Sequence, residues 1–106
     1  MVANGVTAIV TAYCLCFWCT GHTHGITKSG VRAKVGHTIA CDPKMLGAIV
    51  ETPWGLRVCE DTGRAIRGNR IDMFVKTHAE ALKFGTRLAK VRMLGKISLD
   101  QIRKGR

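Results

Sequence analysis

The sequence predicts a small, mainly β domain closed into a barrel, with one short helix late in the chain. Three observations carry this. Residues 6–14 (Val-Thr-Ala-Ile-Val-Thr-Ala-Tyr-Cys) form a β-branched run suited to a pleated strand. There are 12 glycines against 2 prolines, a balance that suits short strands joined by tight turns. After Thr77 the apolar period changes from that of a strand to that of a helix, and after Gly85 it changes back.

The length of 106 residues fits one domain. With 46% hydrophobic and 23% charged residues the composition is that of a globular protein, which excludes disorder and collagen-like order. The apolar stretch at 8–18 carries Thr11 and is too short to span a membrane as a helix.

After the first strand comes a Cys-, His- and Gly-rich loop over 16–25. A second strand is predicted over 37–42, stopped by Pro43, which cannot donate to a ladder. Strands over 48–52 and 56–61 flank Pro53, Trp54 and Gly55, a hairpin composition. A turn at 67–70 leads into an apolar strand over 71–75. Thr77 and Glu80 then have the spacing of a capping box, and Gly85 is a natural helix stop. Residues 87–94 alternate, with Ala89, Val91 and Met93 on the core side and Lys90 and Arg92 on the wet side. Ser98 and Gln101 can cap a last helical turn before a basic end. Residues 95–106 are expected to be a solvated basic tail. A nucleic-acid arm is the alternative, but interleaved aromatics are missing.

The 17 Lys and Arg against 7 Asp and Glu give a net charge of +10, which favours a polyanionic partner: nucleic acid, a membrane surface or an anionic cell wall. Five cysteines leave at least one outside any intramolecular disulfide. Cys14, Cys16, Cys19, His22 and His24 are of zinc-ligand type. Because a second ligand pair with knuckle spacing is missing, packing, a disulfide or thiols are the preferred readings, and no metal or other cofactor is expected. Cys59 and Asp61 would share one face of an unbroken strand, so Cys59 either lines a cleft or is a small buried residue. His37 and His78 read as structural. Residues 1–5 place no Lys or Arg ahead of the apolar stretch, so no clear secretory leader is expected.

Among few acids, three aspartates stand at strand ends or turns, where a rigid scaffold can present a reactive group: Asp42 before Pro43, Asp61 before Thr62 and Gly63, and Asp72 after Asn69, Arg70 and Ile71. The plain alternative is turn chemistry, since Asp-Pro and Asp-Thr-Gly are common turn formers.

In these segments the chain resembles the three-aspartate (3D) domain family of peptidoglycan lytic transglycosylases and stationary-phase survival proteins. The matching stretches are 11–14, 16–19 with Gly21, 27–30, 39–43, 60–72 and 78–85. They span about residues 7–94 of a single 1–106 domain. The chain departs from the family pattern at Met45, where Pro is usual, at Arg64, where a second Gly is common, and in a short loop around Trp54.

The resemblance implies a double-psi β-barrel that cuts between muramic acid and glucosamine units of peptidoglycan and leaves a 1,6-anhydro product. It implies Asp72 as the acid and then base, with Asp61 and Asp42 raising its pKa or facing the positive charge of the transition state. Tyr13 and Trp54 are expected to stack on sugar rings. Thr27 falls in a matching segment, and Thr62, Gly63 and Asn69 are expected to offer hydrogen bonds. The expected partner is the glycan strand rather than nucleic acid. The expected site of action is the bacterial wall, with a bacteriophage-type or virion-associated origin, or release by another route. The alternatives are a non-catalytic wall-binding or structural protein on the same barrel, and a basic nucleic-acid-binding barrel.

Overall fold

The computed structural model describes residues 5–15 and 25–106. Six strands close into a barrel: β1 (Val6–Tyr13), β2 (Thr38–Cys41), β3 (Ala48–Thr52), β4 (Gly55–Thr62), β5 (Arg70–Phe74) and β6 (Arg87–Lys96). Around the barrel they run β1-β5-β2-β4-β3-β6. Two parallel pairs, β1–β5 and β2–β4, are joined by the antiparallel β5–β2 pair. A 3-10 turn (Pro43–Met45) follows β2. The helices are α1 (His78–Phe84) and α2 (Leu99–Lys104). This is the mainly β barrel that the sequence predicts.

Alternation decides what fills it. Ala8 and Val10 of β1, Ile39 and Cys41 of β2, Ala48 and Val50 of β3, Cys59 of β4, Ile71 and Met73 of β5 and Val91 of β6 form one buried cluster. Successive strand side chains point to opposite faces, so this set is the inward one. Burial of these aliphatic side chains supplies the driving force, at about 1.5–3 kcal/mol for each large one. Cys41 and Cys59 form a disulfide between β2 and β4, with Cα atoms 6.0 Å apart. Trp54, from the two-residue turn between β3 and β4, packs against this core, as does Phe84 of α1. The two rings meet at 5.2 Å, and the Arg87 guanidinium lies 4.4 Å from the Phe84 ring centroid.

Helix α1 begins at Thr77, whose hydroxyl accepts from the Glu80 amide (3.1 Å), and ends at Gly85 with φ +65°. Gly47 answers a stricter demand. Its φ is +93°, its N–H reaches the Cys59 carbonyl (2.8 Å), and a Cβ built there would run into the Ile97 carbonyl oxygen. Gly47→Ala should therefore cost at least about 1 kcal/mol, read as a lower midpoint in urea with an unchanged slope.

Two sequence expectations are corrected. First, β4 is not unbroken. Ile39 pairs with Cys59 while the next residue, Ala40, pairs with Asp61, so Glu60 is the extra residue of a β-bulge. Cys59 thus points into the barrel, fully buried, while Asp61 joins Ala40 on the outer face. Second, residues 95–106 are not a free tail. β6 runs to Lys96, and Ser98 and Gln101 complete a capping box at the start of α2. Ile102 is 2% exposed, and Arg106 ion-pairs with buried Glu60 at 2.6 Å. Ile102, the Arg106–Glu60 pair and the Arg103 bond to the Ser29 carbonyl (2.9 Å) dock a segment that the sequence offers as a basic end.

Candidate functional site

The outer faces of β1, β5 and β2 carry a second, smaller buried cluster of Tyr13, Phe74 and Ala40. Ile66, from the 63–69 loop, and Ala33 cover it. Two of the three aspartates lie on this face. Asp72 sits opposite Thr11 on β1 and opposite Ala40 on β2, and Asp61 sits opposite Ala40 from the other side. One strand therefore separates their backbones by two inter-strand spacings, roughly 10 Å. Both side chains project from the same surface.

Asp72 is half-buried. Its Oδ1 accepts the Thr11 hydroxyl at 3.0 Å. Burial pushes its carboxyl pKa above the ordinary range, and the Asp61 charge pushes the same way. The Thr11 hydrogen bond and the Arg70 guanidinium oppose the rise without cancelling it. The group is therefore a carboxyl inclined to keep its proton.

Asp61 is held by three donors. The amides of Lys28 and Thr62 both reach Oδ1 at 2.9 Å, and the Tyr13 hydroxyl reaches Oδ2 at 3.3 Å. Tyr13 is 6% exposed and its ring packs on Phe74 at 5.5 Å. Burial, with the charges of Asp61 and Asp72, pushes its phenol pKa far upward, so it remains a donor at any working pH. Its ring, expected to stack on sugar, is buried, and its hydroxyl is directed at Asp61.

Asp42 is used differently. Its Oδ1 caps the 3-10 turn through the Lys44 amide (3.0 Å), and its Oδ2 accepts the Gly68 amide (2.8 Å). These two bonds hold its pKa below the ordinary value, the Gly68 bond most strongly. It is an ionised anchor for the 63–69 loop, which connects Asp61 to Asp72 along the chain.

The other expected site residues divide. Thr62 lends its amide to Asp61. Gly63 accepts from the Ile66 amide (3.1 Å) and from Arg67 (2.7 Å), closing the loop. Asn69 is exposed, its carbonyl taken by the Ile9 amide (2.8 Å). Thr27 is buried, its hydroxyl bonded to the Val31 carbonyl (2.7 Å) and to Ser29 (3.0 Å), so it shapes the loop that presents Lys28. Trp54 stands at the opposite end of β4 from Asp61, roughly 20 Å away along the strand. It plugs the barrel rather than lining the aspartate face.

Cys16, Cys19, His22 and His24 lie outside the described residues. Cys14 is buried and outside the disulfide. Among the described residues no group of three or more His, Cys, Asp or Glu is placed to hold a metal. No helix among them is long and apolar enough to cross a membrane. Sequence reasoning missed Thr11 and Lys28. Thr11 could have been found from its place two residues before Tyr13 on the same strand face; a backbone donor such as Lys28 leaves no mark in residue type.

The 3D domain profile matches residues 37–95, a span that includes all three aspartates. YabE of Bacillus subtilis (strain 168), named for cell wall shaping, is 38% identical over 95 residues, covering 84% of this chain and 23% of YabE. YocH of the same organism, named a cell wall-binding protein, is 36% identical over 83 residues, covering 70% of this chain and 28% of YocH. The chain spans about a quarter of the length of these curated relatives. With more than half its length matched, and its barrel closed around those residues, the chain belongs to the 3D domain family.

Proposed function

We propose that this chain is a peptidoglycan-cleaving barrel of the lytic transglycosylase type, with Asp72 as its general acid and base. The observation that carries the reading is Asp72 itself: a carboxyl with a raised pKa, on the same surface as a second carboxylate held by three donors. Glycoside cleavage needs a proton for the leaving oxygen and negative charge facing an oxocarbenium-like centre. Asp72 gives its proton to the departing glucosamine oxygen. The muramic 6-hydroxyl attacks its own anomeric carbon, and Asp72 then takes the proton from that hydroxyl. No water is consumed, and the product is a 1,6-anhydro sugar. Asp61 faces the developing positive charge.

The +10 charge suits an anionic wall, raising encounter rate and residence. The Cys41–Cys59 disulfide suits an oxidising, extracytoplasmic setting. The names of YabE and YocH support the wall as the place of action. The name of YocH also favours a second reading, in which the barrel binds wall glycan without cutting it. Mass spectrometry of purified peptidoglycan after incubation separates the two: soluble anhydromuropeptides mean cleavage, and retention on the wall without them means binding alone.

The pH dependence carries its own test. Activity requires protonated Asp72, so it should fall as pH rises through the raised pKa. Thr11→Val removes a hydrogen bond that favours the charged form and should move that limb to higher pH. Asp61→Asn removes a neighbouring negative charge and should move it to lower pH, besides weakening turnover. Profiles of anhydromuropeptide release for the three proteins check the signs. A limb moving the same way in both variants would take the titration away from Asp72.

A further inference from the structure

Glu60 is 1% exposed, yet four groups converge on its carboxylate and carbonyl. Thr38 donates its hydroxyl to Oε1 at 2.6 Å, His37 Nε2 lies 3.2 Å from Oε2, and Arg106 Nη1 reaches both oxygens at 2.6 Å. The Glu60 carbonyl accepts the Ser29 amide at 3.0 Å. From helix α2, Arg103 Nε donates to the Ser29 carbonyl at 2.9 Å, and just past the helix end Arg106 Nη2 donates to the Arg32 carbonyl at 2.5 Å. Ser29 is thus held from both sides, by Glu60 through its N–H and by Arg103 through its C=O. The residue between Thr27 and Ser29 is Lys28, whose amide points at Asp61 Oδ1. Glu60 is also the bulge residue that turns Asp61 outward.

We propose that helix α2 and the two residues after it are a clamp that positions Asp61, with Arg103 and Arg106 as positioning residues acting through Ser29 and Glu60. The clamp rests on the cleavage reading above, and it extends that reading to residues far from the reacting atoms. Arg103 fixes the loop that brings the Lys28 amide to Asp61. Arg106 neutralises Glu60, so that the bulge can bury a carboxylate next to the site. A buried carboxylate without its partner would draw in water or expel the bulge. Either response swings Asp61 off the face it shares with Asp72. Arg reaches one carboxylate and one carbonyl at once through its planar fork, which a lysine ammonium cannot copy.

The test uses the whole chain and two readouts. The first is kcat and KM for release of anhydromuropeptides from purified walls. The second is hydrogen exchange at the Lys28 amide, followed against the amides of Ile39 and Val10 in the barrel. Arg103→Gln should lower kcat by about tenfold to a hundredfold with KM little changed, in the range for a misplaced catalytic group. It should also speed exchange at Lys28 while leaving the barrel amides as they were. Arg103→Lys should restore part of both. Because Arg106→Gln alone can unfold the chain by stranding Glu60, it is paired with Glu60→Gln, which removes the buried charge. The double variant should fold and show the same loss of kcat. Lys104→Gln, on the same helix but paired only with exposed Asp100 at 3.2 Å, should match the wild type. Wild-type kcat in both Arg103→Gln and the double variant would overturn the clamp, as would lost activity accompanied by faster exchange throughout the barrel. An inactive wild type would instead remove the cleavage reading, and unchanged Lys28 exchange in Arg103→Gln would then overturn the clamp separately.

Discussion

Asp72→Asn should lower the release of anhydromuropeptides by about a hundredfold or more, the loss typical of a general acid, while leaving a protein that is more stable than the wild type at neutral pH. The two halves come from one cause. The fold holds Asp72 half-buried beside Asp61, and its pKa is raised because burial disfavours the charged form. A carboxyl whose pKa is higher folded than unfolded contributes stability at low pH, where both states are protonated. That contribution is lost as pH rises through the folded pKa. Asn keeps the shape and can still accept the Thr11 hydroxyl, but it never ionises and so never incurs that loss. The stability gain should therefore be present at pH 7 and fade as the pH falls below the ordinary carboxyl range. Denaturant melts at several pH values, beside wall digestion at matched concentration, read both halves. Wild-type-like release would remove Asp72 from the acid role. Loss of release together with lower stability at pH 7 would mean that the ionised carboxylate is a structural support instead.

Most of the frame could be read before the structure, because it rests on local signals. The β-branched run of β1, the alternation of β6, the Thr77 cap and the Gly85 stop each depend on a few neighbouring residues. What the sequence hides is non-local. The Glu60 bulge has no mark in residue type, yet it inverts the relation between Cys59 and Asp61. Trp54 looks like an exposed turn aromatic until Phe84, thirty residues later, closes over it. Tyr13 looks like a stacking platform until Phe74 and Asp61 claim its ring and its hydroxyl. Asp61 and Asp42, expected in the same supporting role beside Asp72, are also held differently: Asp61 shares a face with Asp72, while Asp42 spends both oxygens on backbone amides.

Removing the Cys41–Cys59 disulfide should cost about 3 kcal/mol, because the bond closes a loop of 18 residues and so restricts the unfolded chain. For a domain near this size that corresponds to a fall in Tm of roughly 12–24 °C. It is a large share of the total, since domains of this length have about 5–15 kcal/mol in all. The effect reaches the site because of where the bond lies. It ties β2 to β4 one residue before Asp42 and two residues before Asp61, across the pair that aligns Ala40 with Asp61. Both sulfurs sit in the barrel core, so Cys41→Ala with Cys59→Ala, which adds no polar group there, is the cleaner change. Reduction of the wild type offers a second route with no change of composition. If the bond acts through the unfolded state, the reduced wild type and the double alanine variant should lose similar stability. Both should still cleave wall glycan well below their lowered Tm, because the Asp61 donors and the Thr11–Asp72 bond do not involve sulfur. Thermal melts with and without reductant, and digestion at low temperature, check this. A reduced protein with unchanged Tm would show that the crosslink adds nothing to the barrel. Activity lost well below the melting transition would instead make the bond part of the site's geometry.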